Sequence, residues 1–204
     1  PMVFINRRTV RSRYTHIAVD YKKAVSKTVE FLTKNGHRKI GYAGWRNDSA
    51  IIPDEKFSGY LEGLKQNEIE KDNKSIFLND DIPIREFREY REYTKQIYPV
   101  IKDEDITALI AQSDPIALGL LEGFRNAGLK VPEDISLTGI GNIQQSRTSF
   151  PPLTTVHIPK IRMGRFGAEV LLDLVKKGEN KKQAIYLKTT LIKRDSVKDI
   201  SNKL

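Results

Sequence analysis

Few side chains in this 204-residue chain could carry chemistry. There is no cysteine, which removes thiolate nucleophiles, disulfides and cysteine-ligated metal centres. The three histidines, His16, His37 and His157, lie far apart without an HExxH pairing, so no metal site is implied. No serine sits in a GxSxG elbow or in a triad order with one of those histidines. Asp80-Asp81 and Asp103-Glu104-Asp105 are the dense acid clusters, and they read as solvated loops rather than a general acid–base pair. Neither GxGxxG nor GxxxxGK[ST] follows a strand pattern, so the phosphate loops of nucleotide enzymes lack their warrant. No cofactor is implied, and the chain does not read as an enzyme.

Charge is distributed unevenly. Residues 1 to 40 hold ten Lys/Arg against two acids and residues 176 to 204 nine against three, so a total of +9 leaves the middle of the chain at −5. Basic ends of this kind are more often solvated surface than a phosphate-binding arm. A composition of 39% hydrophobic and 30% charged residues is that of a globular protein, and no apolar run reaches the length of a membrane span. Pro1 leads straight into the apolar run Val3-Phe4-Ile5 with no export signal, as though the chain opened inside a core strand of something longer.

What remains specific lies in segments between periodic elements. Strand patterns over residues 2 to 5, 39 to 43, 75 to 78, 106 to 111, 135 to 140, 154 to 158 and 184 to 193 alternate with helical ones. The helical spacings cover 21 to 34, 53 to 67, 86 to 98, 114 to 127 and 161 to 177. This alternation predicts an α/β fold with a doubly wound parallel sheet. In such a sheet, ligands bind at the carboxyl ends of the strands. Four connections stand out: Asn35-Gly36-His37-Arg38, Gln112-Ser113-Asp114-Pro115, Val131-Pro132-Glu133-Asp134-Ile135-Ser136 and Pro151-Pro152-Leu153-Thr154-Thr155-Val156.

Most residues of these segments read as structural. Gly36 and Gly128 suit helix C-caps with positive φ, Pro132 a turn and Pro151-Pro152 an extended crossover. His37 suits the satisfaction of a turn, and the Thr154 and Thr155 hydroxyls suit bonds to backbone.

Taken together, in this order and spacing, the segments resemble the effector-binding domain of the lactose/galactose repressor (LacI/GalR) family of bacterial transcription regulators. The resemblance runs from Pro1 to about Ser196 and includes the closing Arg194 and Ser196. It implies a type I periplasmic-binding-protein fold whose N-terminal subdomain is incomplete here. Residues 1–16 and 159–183 would be its remnant, 17–158 and 184–197 the C-terminal subdomain, and the DNA-binding helix-turn-helix would be absent from this chain.

The resemblance also implies a cleft. The family's sugar-binding arginine, three residues before a helix glycine, is Lys56 here; its Asn-Asp pair is Ser113-Asp114, and its Gly-Tyr-Asp-Asp strand end is Gly139-Ile140-Gly141-Asn142. Asn6 falls at a further strand-end contact. Lysine cannot copy a guanidinium fork and Gly141 offers no side chain, so the sugar clamp is retuned. An effector that suits a single cation at Lys56, phosphorylated or acidic, is one outcome; an ordinary sugar with contacts from Asp48 to Asp54 is the other. Trp45, the lone tryptophan, either stacks on a sugar face or packs, and Asp114 either contacts ligand or caps its helix.

By resemblance, the chain senses a sugar or sugar-like metabolite for a cytoplasmic, homodimeric, DNA-binding regulator, most simply a repressor. A periplasmic-type sugar transport protein is the alternative on the same fold, and an unrelated α/β enzyme the third reading.

Overall fold

A computed structural model describes residues 1–6, 14–45, 54–79, 87–178 and 182–203. Among these residues nine strands and six α-helices follow one another as β1 (Val3–Ile5), β2 (Thr15–Val19), α1 (Tyr21–Lys34), β3 (Ile40–Trp45), α2 (Glu55–Gln66), β4 (Ile76–Asn79), α3 (Phe87–Asp103), β5 (Ala108–Ala111), α4 (Asp114–Asn126), β6 (Ser136–Gly141), the single turn α5 (Gln145–Thr148), β7 (Thr154–His157), α6 (Lys160–Lys177), β8 (Ala184–Leu187) and β9 (Thr190–Ile192).

The strands form two sheets. The larger has the order β4-β3-β5-β6-β7-β9, parallel throughout except for β9, which runs antiparallel to β7. Its strands β3, β5, β6 and β7 are buried on both faces. Along β5, Leu109 and Ala111 join the apolar cluster of α3 and α4, whereas Ala108 and Ile110 join that of α1 and α2. That two-residue alternation with helices on either side makes the sheet doubly wound. On one face Val25, Val29 and Leu32 of α1 meet Tyr60 and Leu64 of α2; on the other Ile97 and Ile101 of α3 meet Leu120 and Phe124 of α4.

The smaller sheet is β1-β2-β8, all parallel, with Phe4 opposite His16 and His16 opposite Ala184. Helix α6 lies on it so closely that a Cβ on Gly167 would come within 2.7 Å of the Ile5 side chain.

The sheets divide the chain differently from the sequence-based boundaries. Thr15–Val19 pairs with β1 although 17–158 was assigned to the other unit, and the single strand expected over 184–193 is two. Ala184–Leu187 joins the small sheet and Thr190–Ile192 the large one. The backbone therefore passes between sheets three times, at Val19–Tyr21, His157–Lys160 and Leu187–Thr190. Helix α3 also extends past Tyr98 to Asp103 with Pro99 inside it, because Tyr93, Ile97 and Ile101 keep one buried face in step.

Candidate functional site

Parallel strands bring their carboxyl ends to one edge, and the resemblance-derived residues stand there: Asn6 after β1, Trp45 at the end of β3, Ser113 and Asp114 after β5, and Asn142 after β6. Lys56 joins them from the first turn of α2.

Asn6 has a left-handed backbone (φ 56°), its N–H donates to Ile17 O at 2.8 Å, and its Oδ1 accepts the Tyr21 hydroxyl at 2.9 Å. Tyr21 opens α1, so this bond ties the small sheet to a helix of the large one. The Lys56 ammonium lies 5.0 Å from the centre of the Tyr21 ring and donates to Gln112 O at 2.9 Å. Burial lowers the Lys56 pKa from its ordinary value, with Asp54 and Asp114 pulling the other way.

Gln112, 2% exposed, organises this side. Its Oε1 accepts the Trp45 N–H at 3.1 Å and its Nε2 donates to Asp54 Oδ2 at 2.6 Å. The other Asp54 oxygen caps α2 by accepting from the N–H groups of Lys56 (2.9 Å) and Phe57 (3.1 Å). Trp45 is half-buried and rests against the apolar cluster of α3 and α4, which favours packing for the body of its ring.

Asp114 does not cap α4. The N-cap position belongs to Ser113, whose side chain makes no cap hydrogen bond. The Asp114 carboxylate, fully buried, instead turns toward β6 and β7. Oδ2 accepts from Ile143 N–H at 2.9 Å and the Ser146 hydroxyl at 2.6 Å, and Oδ1 accepts the Thr155 hydroxyl at 2.5 Å. Three protein donors there outweigh one cap bond. Thr155 thus donates to a side chain while its oxygen accepts a backbone N–H, that of Asn142, and Thr154 Oγ1 donates to Arg194 O at 3.1 Å.

Asn142, also left-handed (φ 49°), is held from every side. Its N–H donates to Thr155 Oγ1 at 3.3 Å, its Oδ1 accepts from Arg194 Nη2 at 2.7 Å, and its Nδ2 lies 3.0 Å from His157 Nδ1. Arg194 spends its other terminal nitrogen on Leu153 O at 2.6 Å. Gly141, in place of an aspartate, has φ 142°, and a Cβ there would touch Asp114 Oδ2 at 3.4 Å.

The strand ends therefore carry two connected networks. Asn6, Tyr21, Lys56, Gln112 and Trp45 form one; Asp114, Thr155, Asn142, His157 and Arg194 form the other, and the Gln112-Ser113-Asp114 backbone joins them. Sequence reasoning passed over Tyr21, Gln112, Thr155 and Arg194 as site residues; the one signal for Gln112 was a polar side chain directly after a buried strand. The expected contacts from Asp48 to Pro53 lie outside the described residues. His37 is structural, with Nδ1 3.0 Å from Thr107 Oγ1 and Nε2 3.1 Å from Lys198 O.

Two sheets joined by three crossovers, with polar groups at the strand ends between them, define a ligand-binding domain of the periplasmic-binding-protein type. The chain belongs to the family of periplasmic binding protein-like domains, whose model matches residues 29–197. It is 32% identical over 176 residues to the HTH-type transcriptional repressor PurR of Vibrio atlanticus, covering 84% of this chain and 49% of that protein. It is 30% identical over 201 residues to the HTH-type transcriptional regulator MalR of Clostridium butyricum, covering 96% of this chain and 57% of the relative. A LacI family regulator from Enterococcus faecium with bound ribose superposes with a TM-score of 0.85 at 22% identity, over 98% of this chain and 72% of that one. The chain spans about half the length of these regulators, and its likeness is to the effector-binding domain of the LacI/GalR type.

Proposed function

We propose that this chain is the effector-sensing part of a bacterial DNA-binding transcription regulator, a repressor, and that its effector is a sugar or sugar-like metabolite. The observation that carries the reading is the bridge Asn6–Tyr21–Lys56–Gln112. It runs from the small sheet, through the first crossover, to the strand ends of the large sheet. A ligand seated on Asn6, Trp45, Lys56, Ser113 and Asn142 touches both sheets, and differential contacts of that kind shift the relative orientation of two lobes. Asp114 supports the ligand from beneath, through the loop it anchors.

Operator DNA is then engaged by a helix-turn-helix outside residues 1–204, in a cytoplasmic homodimer whose lobe orientation sets the spacing of its DNA-binding heads. The names of the relatives support this reading. Among the described residues no helix is long and apolar enough to cross a membrane.

The test is operator binding by the intact protein, followed by fluorescence anisotropy against a panel of mono- and disaccharides and their phosphates. One class of sugar is expected to change operator affinity by roughly 5- to 150-fold. No change with any sugar, together with no calorimetric sugar binding, rejects the reading.

A further inference from the structure

One buried polar group takes no part in the networks described above. Tyr42, within β3, is fully buried, and among the described residues its hydroxyl has no hydrogen-bond partner. Its ring belongs to an aromatic cluster with Phe57 and Tyr60, whose centroids lie 5.4 and 5.2 Å away. Tyr60, in the same surroundings, donates its hydroxyl to Ile40 O at 2.8 Å. A buried hydroxyl without a partner is unfavourable, so phenylalanine would suit position 42 better unless the hydroxyl is used in another arrangement. The polar groups that act on it are Asp54 and Gln112. Burial raises the Tyr42 pKa far above its ordinary value, the Asp54 charge adds to that, and Gln112 opposes it.

Gln112 stands where β3 and β5 part. Its N–H makes the last main-chain bond between them, to Ala43 O at 2.8 Å, and its side chain then continues the ladder. Oε1 accepts the Trp45 N–H at 3.1 Å, while Nε2 donates to Trp45 O at 3.4 Å and to Asp54 Oδ2 at 2.6 Å. Gly44 leaves room for this, because a Cβ there would come within 2.8 Å of both Cβ and Oε1 of Gln112. The amide nitrogen has thus spent both its hydrogens, and the amide oxygen is held by a backbone donor at the end of β3. A ligand oxygen that accepts from the Trp45 N–H sets Oε1 free. The Tyr42 hydroxyl is the unused donor beside it.

We propose that Gln112 is a two-position positioning residue of the ligand site and Tyr42 its reserve donor: in the empty site Oε1 holds the Trp45 N–H, and when a sugar oxygen takes that N–H, Oε1 turns to the Tyr42 hydroxyl. The proposal rests on the sensing role given above to the strand ends and supplies a step by which occupancy there reaches the core. In the exchanged arrangement the Trp45 N–H, Oε1 and the Tyr42 hydroxyl are all bonded, so the exchange favours the occupied site. Nε2 also holds Asp54, the cap of α2, so the same turn of the amide adjusts the helix that carries Lys56.

The test is titration of the intact protein with ribose, maltose and cellobiose, read by the emission of Trp45, the single tryptophan, beside thermal melting without sugar. Tyr42→Phe is expected to weaken binding of whichever of these the wild type takes by roughly 3- to 10-fold, the worth of one hydrogen bond. Its sugar-free melting temperature holds or rises, because the hydroxyl removed is bonded to nothing there. Tyr60→Phe breaks a bond present at rest and shows the reverse, a lower melting temperature with affinity kept within about twofold. In a Gln112→Met background Tyr42→Phe costs no further affinity, since its acceptor is gone. Unchanged affinity in Tyr42→Phe, a lowered sugar-free melting temperature for it, or the same loss with and without Gln112 overturns the inference and leaves the proposed function standing. An equal loss of affinity in Tyr60→Phe shows general loosening of the aromatic cluster and overturns it too. Failure of the wild type to bind any of the three sugars overturns the inference together with the sugar reading on which it rests.

Discussion

Thr155 on β7 donates its hydroxyl to Asp114 at the start of α4, and the same Thr155 oxygen accepts the N–H of Asn142. One threonine thus transmits the position of a buried carboxylate to the backbone of a residue on the candidate ligand surface. Ile143 and Ser146, bonded to the same carboxylate, fix the rest of that loop, and Arg194 and His157 clamp the Asn142 side chain. The strand-end geometry is therefore set before any ligand arrives, which lowers the ordering cost of binding.

Removing the carboxylate tests this. Asp114→Ala strands one N–H and two hydroxyls in a buried site and is expected to destabilise the domain by about 3 kcal/mol. Urea unfolding followed by circular dichroism measures it. A loss below about 0.5 kcal/mol, the range of a neutral surface change, contradicts the anchoring role.

How much of this was legible in the sequence depends on where each residue's partners lie. Helix α1 was readable from its own spacing, from Asp20, whose carboxylate accepts from Lys23 N–H at 2.8 Å, and from Gly36 with φ 87°. Strand β2 was missed because its pairing with β1 and β8 decides it, and β8 lies more than 160 residues away. The strands β8 and β9 merged into one because Lys188-Thr189 carries no glycine or proline to mark the change of sheet. The helix cap offered for Asp114 fails for a related reason. A cap is a local expectation, and the donors that won it over sit 29 to 41 residues further on.

His37 gives a pH dependence with a definite sign. Desolvation lowers its folded pKa from 6.5, only partly offset by the Lys198 carbonyl and by Asp199. The unfolded chain then binds a proton that the folded one refuses. The contribution is fully present above the unfolded value and is lost as pH falls through 6.5 toward the lowered folded value. Denaturant midpoints measured from pH 7.5 to 5 are expected to fall more steeply for the wild type than for His37→Gln. Parallel curves for the two proteins rule the assignment out.

Gly59 sets the distance between α1 and α2. A Cβ there would run into the Lys22 carbonyl and come within 2.9 Å of Lys22 Cα, both backbone atoms of the facing helix. Gly59→Ala must push α2 outward, at a cost of about 1–3 kcal/mol, despite alanine's better helix propensity. Because Lys56 rides on the same helix, the shift also lengthens its bond to Gln112 O. Thermal unfolding and sugar titration should both register the change; an unaltered or raised melting temperature would show that the interface yields.

Tyr21 separates the two parts of the bridge between the sheets. Its hydroxyl reaches Asn6 at 2.9 Å, while its ring lies beneath the Lys56 ammonium. Tyr21→Phe removes the first contact and keeps the second, whereas Tyr21→Ala removes both. If the bridge couples the sheets at the ligand site, Tyr21→Phe weakens sugar binding by about 0.5–1.5 kcal/mol, the net worth of one hydrogen bond. Tyr21→Ala weakens it further, by about 0.5–2 kcal/mol for the partly buried cation–π contact, together with the packing lost at the head of α1. Calorimetry on the intact protein with its best-binding sugar reads both. Equal affinities for wild type and Tyr21→Phe would place Asn6 outside the ligand surface, and equal affinities for all three would remove the bridge from the sensing mechanism.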